Sequence, residues 1–172
     1  MRVRPEQVSL WHLEEQDLEL VLAWRNDPEV MKWLPSAQRP LLWQDHLDWF
    51  RRYHSGLVWQ YDWTIQLETG SLVRRRRRVG TVHYVNHTSE IGLLVGEKTL
   101  WGQGIGRIAL EKALHEVTGP HWELLRQAVG PVWAVVHPEN TPSRKLFESL
   151  NFVADGEGRN GQIKYKWQGW PK

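Results

Sequence analysis

The residues best suited to chemistry begin with a glycine run at positions 101–106, Trp-Gly-Gln-Gly-Ile-Gly. Three glycines so close together let the backbone turn tightly and leave its N–H groups bare. Where such a turn opens a helix, those groups and the helix dipole face an anion, so the run outlines a diphosphate cradle. Arg107 can add charge in the first helical turn. The chain has no cysteine, which excludes disulfides, a thiol nucleophile and cysteine-ligated metal centres, and no metal site is expected. The titratable candidates are Glu90 just before the run, and His46 and His83, whose ordinary pKa suits a base near neutral pH.

The glycine run sits between an apolar strand at 90–95 and an amphipathic helix at 105–117, which places Ile105, Ile108, Ala109, Ala113 and Leu114 on one face. Upstream, alternation predicts a strand at 8–13 and helical periodicity predicts a helix at 14–25. Pro28 disfavours a helical Asp27 and ends that helix. A short helix at 29–34, a loop at 35–40 and a helix at 42–53 follow. Segments 57–67 and 79–85 read as a hairpin pair, with five arginines at 74–78 in the connecting loop. Downstream lie an extra helix at 122–128, a buried strand at 132–136, a helix at 140–150, and closing strands at 152–154 and 163–167. With 172 residues, no repeat and no linker, the chain reads as one mixed α/β domain spanning 1–172.

Basic and acidic residues nearly balance, 22 against 20, so the fold as a whole is not a polycation. No apolar run is long enough for a signal region or a bilayer span, and a cytoplasmic protein is expected. The arginine run reads as a solvated loop; without interleaved aromatics it is no dedicated nucleic-acid site. Most of the twelve tryptophans are expected in the core, with some lining a pocket for a bulky ligand. A P-loop is excluded because no Gly-Lys-Ser/Thr occurs. A dinucleotide-binding Rossmann unit is excluded because three strands precede the glycine loop in hairpin-like order.

Together these features resemble the GNAT superfamily of acyl-CoA-dependent N-acyltransferases over nearly the whole chain. Gly104 and Gly106 fill the glycine positions of its Q/R-x-x-G-x-G/A signature. Trp101 replaces the leading Gln or Arg, as in the Trp-Gly-x-Gly form of the branch containing ribosomal-protein N-terminal acetyltransferases. The segment Asn140-Thr-Pro-Ser-Arg-Lys-Leu-Phe147, followed by Leu150-Asn-Phe152, resembles the family's N-x-x-S/A segment ending in Gly-Phe. Asn151 takes the glycine's place, which its tolerance of positive φ permits. The stretch Trp24-Arg-Asn-Asp-Pro-Glu-Val30, with His46 and Trp49-Phe50, resembles the amino-sugar acetyltransferases of the pseudaminic acid pathway.

The resemblance implies a mostly antiparallel sheet of six to seven strands, splayed at the cofactor site and flanked by helices, with acetyl-CoA as cofactor. It assigns the diphosphate to the N–H groups of Gln103, Gly104, Ile105 and Gly106, with Trp101 and Gly102 in the same loop. It assigns the pantetheine arm to the backbones of Leu93 and Val95, and polarisation of the thioester carbonyl to the N–H of Leu94 or a neighbour. Asn140 is expected to bond the pantetheine or a local backbone group. Arg144 and Lys145 either meet the 3′-phosphate or adenine end or form a solvated face. Glu90 matches a catalytic glutamate, its other reading being a strand-edge salt bridge, with His83 and His46 as rival bases. Phe147 stands where many members carry a tyrosine acid, which leaves Ser143 or solvent to protonate the thiolate. Ser143's other reading is a helix cap.

The acceptor is expected among Arg25, Asn26, Glu29, Trp33, His46 and Trp49, with His83 also counted as substrate-binding. Arg25 suits a phosphate or carboxylate, and the tryptophans suit a sugar or base. The preferred acceptor is a small-molecule amine, an amino sugar on a nucleotide carrier. Nα-acetylation of a protein such as a ribosomal protein comes second, and a polyamine or aminoglycoside third. An acyl-CoA sensor without turnover, favoured by Phe147, is the reading from another class. A nucleic-acid module through the arginine run is weaker still. No membrane partner is expected, and a homodimer is allowed.

Overall fold

The computed structural model describes residues 2–34, 39–55, 60–70, 75–119 and 130–170. Its centre is a sheet of seven strands: β1 (Val8–His12), β2 (Gln60–Thr69), β3 (Arg75–Val85), β4 (Glu90–Val95), β5 (Trp133–Val136), β6 (Phe152–Glu157) and β7 (Ile163–Trp167). They lie in the order β1-β2-β3-β4-β5-β7-β6. All neighbours run antiparallel except β4 and β5, which are parallel and register at one pair, Glu90 opposite Trp133. Past that pair the two strands part.

Helices α4 (Ile105–Val117) and α5 (Thr141–Glu148) cover one face; α1 (Leu18–Asn26) and α3 (Trp43–His54) cover the other. The apolar stripe of α4 is buried as its spacing predicts, and it packs with Val82, Ile91, Ala134, Phe147 and Tyr165. Leu13, Leu18, Val21, Trp24, Leu47 and Phe50 form the second cluster. Consecutive residues of a strand face opposite ways, so β4 serves both layers: Leu93 packs against the α4 cluster and Leu94 against the α1–α3 cluster.

Pro28 acts as expected. α1 ends at Asn26, Asp27 turns extended (ψ 124°), and its carboxylate accepts the Glu29 N–H to cap the four-residue α2 (Pro28–Met31). The expected helix at 14–25 starts with a 3-10 turn at Glu15–Asp17. The strand expected at 152–154 continues to Glu157, and Asn151 has the positive φ (66°) read from its place after α5. The expected helix at 122–128 and most of the loop at 35–40 lie outside the described residues. Among the described residues no helix is long and apolar enough to cross a membrane.

The arginine run is a correction. Arg75 to Arg78 belong to β3 and pair with Thr69 to Gln66 of β2, past a register shift between Ile65 and Gln66. A ladder needs only backbone groups, and solvent accepts the long charged side chains. Arg78 is ion-paired with the buried Asp17, Arg76 with Glu68 at 3.1 Å, and Arg76 also lies over the Trp11 ring. Since β4 pairs only from Gly80 onward, this part of β3 runs beyond it, and charged side chains protect such an edge from adding strands.

Candidate active site

The splay between β4 and β5 leaves backbone groups open, and register decides which. The Gly96 N–H donates to Val79 O on the β3 side, and the Trp133 N–H donates to Ser89 O on the β5 side. Antiparallel alternation then turns Gly92 and Leu94 toward β3, and Ile91, Leu93 and Val95 toward the opening. This corrects one expectation: the Leu94 N–H faces Thr81 in the ladder, and the Leu93 N–H faces the slot. Val95 is half committed, because its carbonyl accepts from the Trp101 indole Nε1–H at 2.7 Å.

The slot opens onto the start of α4. Gly102 (φ 75°) and Gly104 (φ 90°) occupy the left-handed region, and a Cβ at either would meet nothing within 4 Å. Gly106 is tight instead: its Cβ would sit 3.0 Å from Leu93 Cδ2, so glycine lets the helix settle on β4. Gln103 is a second correction. Its N–H donates to Leu100 O, its carbonyl accepts from the Val3 N–H, and its side chain donates to Thr99 O. It braces the loop. Gly104, Ile105, Gly106 and Arg107 precede the first internal helix bonds, and α4 has no side-chain cap. Open space, bare N–H groups and a helix dipole fit a diphosphate. Arg107 is exposed in that first turn.

Across the slot, Asn140 caps α5 by accepting the Ser143 N–H on Oδ1 at 3.2 Å. Ser143 is therefore not the cap, and it stands half-buried in the first turn. Phe147 is buried edge-on to Phe152. Arg144 donates to the Tyr165 hydroxyl and to Pro138 O, which ties it to the fold, whereas Lys145 is exposed.

The α1–α3 face of the sheet gathers most remaining candidates. Glu90, at the closed end of the slot, is buried and ion-paired with Arg159. His83 lies over Gly92, where a Cβ would fall 2.1 Å from its Cε1, and the Trp24 ring covers Gly96 in the same way. Burial first, then the charges of Arg25 and Arg159, lower the His83 pKa to about 4. Burial also lowers the Arg25 pKa, against the opposing pull of Asp62. His46, 2% exposed, stacks on Trp49 with ring centres 5.3 Å apart. Burial and Arg25 bring its pKa to about 4, opposed by a hydrogen bond to the Leu18 backbone. Arg25, His46 and Trp49 line a cavity of about 500 Å³ with Arg39, Asp45, Asp48 and Arg52 at its rim.

Three expected acceptor residues stand apart from that cavity. The Asn26 amide is taken by the Leu41 backbone, donating to its carbonyl at 2.9 Å and accepting its N–H at 2.8 Å, so it clamps the loop before α3. Trp33 meets His137 edge-on at 5.4 Å, and Glu29 is ion-paired with Lys98. Asp62 and Arg159 were missed. A carboxylate between the aromatics of a strand was a usable sign for Asp62; Arg159 stands in a turn with none.

The GNAT acetyltransferase domain model matches residues 7–153. An uncharacterized protein of Methanocaldococcus jannaschii is 30% identical over 159 residues, covering 92% of this chain and 31% of that protein. The chain thus spans about a third of that relative's length. A solved domain from that organism is 30% identical with TM-score 0.78, covering 92% of this chain and 96% of that one. Spermidine N-acetyltransferase from Vibrio cholerae, solved with CoA and spermine, is 17% identical with TM-score 0.70 over 94% of both chains. The Campylobacter jejuni N-acetyltransferase PseH is 18% identical with TM-score 0.60, covering 95% of this chain and 99% of that one. The last two likenesses are of fold. With the family model spanning most of its length, and a slot and cradle that fit the cofactor, the chain belongs to the GNAT acetyltransferases, which take their acetyl group from acetyl-CoA.

Proposed function

We propose that this chain acetylates a primary amine carried by an amino sugar on a nucleotide. The observation that carries the transfer reading is the junction of slot and cradle: open backbone groups on β4 lead directly to bare N–H groups at the start of α4. In this reading the carbonyls of Ile91 and Leu93 and the N–H of Val95 hold the pantetheine amides as an added strand would. The N–H groups of Gly104, Ile105, Gly106 and Arg107 hold the diphosphate. When bound, acetyl-CoA supplies the thioester carbonyl, and the Leu93 N–H is the proposed donor to its oxygen.

An ordinary imidazole is about two pH units more basic than an ordinary carboxylate. His83 and His46, both brought to about 4, have lost that advantage. Glu90 is the proposed proton acceptor on position: it lies at the closed end of the slot, on the acceptor face, with its carboxylate held by Arg159. Ser143 is the proposed proton donor to the thiolate, its hydroxyl being free of the capping role that Asn140 fills.

The cavity supports the acceptor class. Arg25, Arg39 and Arg52 suit phosphates, Asp45 and Asp48 suit an ammonium, and Trp49 offers a ring to a sugar or base. Its volume is within the range of small-molecule sites. Thiol release from acetyl-CoA over a panel of UDP-linked amino sugars, N-terminal peptides, polyamines and aminoglycosides tests this. Turnover should be highest with a nucleotide-linked amino sugar. Turnover confined to peptides or polyamines refutes the acceptor, and no thiol release with any amine refutes the transfer.

A further inference from the structure

Trp33 and Glu29 stand apart from the cavity because they belong to the open end of the slot. β4 and β5 part beyond the Glu90–Trp133 pair, so the lips of that opening are Gly96, just past β4, and His137, just past β5. The segment 24–33 joins the two lips. On the β4 side the Trp24 ring covers Gly96, and Lys98 is ion-paired with Asp27 at 2.8 Å and with Glu29 at 2.9 Å. On the β5 side the rings of Trp33 and His137 meet edge-on at 5.4 Å. The crossing lies on the α1–α3 face. Trp24 belongs to the cluster on that face, and Val136 packs into the α4 cluster, so alternation turns His137 the other way. Both rings of the contact are half-buried, and each keeps surface that a ligand can cover. Lys32 steadies the indole, with its Nζ 4.7 Å over the Trp33 ring.

We infer that Trp33 and His137 form a clasp over the pantetheine arm of the cofactor, touching it from the α1–α3 face at the open end of the slot. The two rings suit that arm, which carries a pair of methyl groups beside its amides. The indole offers an apolar surface to the methyls. His137 Nδ1 accepts the Glu139 N–H at 3.2 Å, which leaves the ring proton on Nε2, a donor to an amide carbonyl. The β4 backbone thus holds the arm along one side, and the clasp covers it from above. The inference rests on reading the slot as the pantetheine site, and it gives Trp33 a cofactor role where an acceptor role was expected.

The test is calorimetric titration with two ligands: CoA, and adenosine 3′-phosphate 5′-diphosphate, which keeps the phosphates and lacks the arm. Trp33→Ala should raise the Kd of CoA about tenfold and leave that of the truncated ligand unchanged. Trp33→Phe, which keeps a ring against His137, should restore most of the CoA affinity. A second readout needs no variant. In NMR spectra of the wild-type protein, the His137 ring signals should shift with CoA and stay in place with the truncated ligand. Equal losses for both ligands show that Trp33 supports the fold alone and overturn the inference. An unchanged CoA Kd in Trp33→Ala, or His137 signals that CoA does not move, overturns it as well. In those cases the slot reading stands, provided the wild-type protein binds CoA more tightly than the truncated ligand. Equal wild-type affinity for the two ligands, or no binding of CoA, overturns the slot reading itself.

Discussion

Acid should loosen this fold through two histidines before it exhausts the rest of the molecule. In the unfolded chain each imidazole takes a proton near pH 6.5, whereas folded His46 and His83 do so only near 4. Between those values folding expels the protons, so stability is full above pH 6.5 and declines as pH falls toward 4. The two pH units from 6.5 down to the assay's 4.5, at about 1.4 kcal/mol each, give roughly 3 kcal/mol for the nearly inaccessible His46. His83 is partly exposed and shares Arg25 as a perturbing charge, so it contributes less and not independently. For a chain of this length, 3 kcal/mol corresponds to about 6–12 °C in melting temperature. The assay is Tm by calorimetry at pH 7.5 and 4.5 for the wild-type protein and His46→Gln. All other titratable groups are common to both proteins and cancel in the comparison. The variant should lose several degrees of the acid-induced drop. An identical drop in both, or an NMR titration of His46 centred near 6.5, refutes the reasoning.

Other perturbations separate backbone roles from side-chain roles. Gly104→Ala puts a Cβ on a residue at φ 90° and into the space left for the diphosphate; it should cost about 1–2 kcal/mol of stability and weaken CoA binding measured by calorimetric titration. Unchanged CoA affinity removes the cradle from that loop. Asn26→Ala removes two hydrogen bonds to Leu41 and should cost about 2 kcal/mol, seen as a Tm loss of about 4–8 °C, with CoA affinity intact. Glu90→Gln should lower kcat by about 10²–10⁴ with CoA binding preserved; a wild-type kcat dismisses Glu90 as the proton acceptor.

The proposed donor half of the site was legible in the sequence because contiguous backbone builds it. Gly102, Gly104 and Gly106 mark it in one short run, and Asn140 with Ser143 mark the facing helix start. What the run did not carry was phase. Which of Leu93, Leu94 and Val95 faces the slot depends on how β4 registers against β3, fixed by the Gly96–Val79 bond at the far end of the strand. A shift of one residue exchanges every inward and outward group, so the N–H that faces the slot is that of Leu93, the neighbour of Leu94, with no change of residue type to mark it. The Val95 carbonyl, in turn, was lost to an indole six residues on.

The proposed acceptor half is different in kind. Arg25, His46, Asp62 and His83 come from four separate elements, and their chemistry comes from one another: Asp62 acts on Arg25, and Arg25 acts on both histidines. An isolated histidine in a sequence is a base near neutral pH; burial first, and then the Arg25 guanidinium beside it, leaves His46 neutral down to about pH 4. Even the room for His83 is written on another strand, at Gly92, whose missing Cβ the imidazole occupies. A substitution at Gly92 should therefore disturb the acceptor face while leaving the cradle alone. Gly92→Ala should raise KM for the amine with little change in CoA affinity, and an equal loss of both would show that the two halves of the site are not built separately.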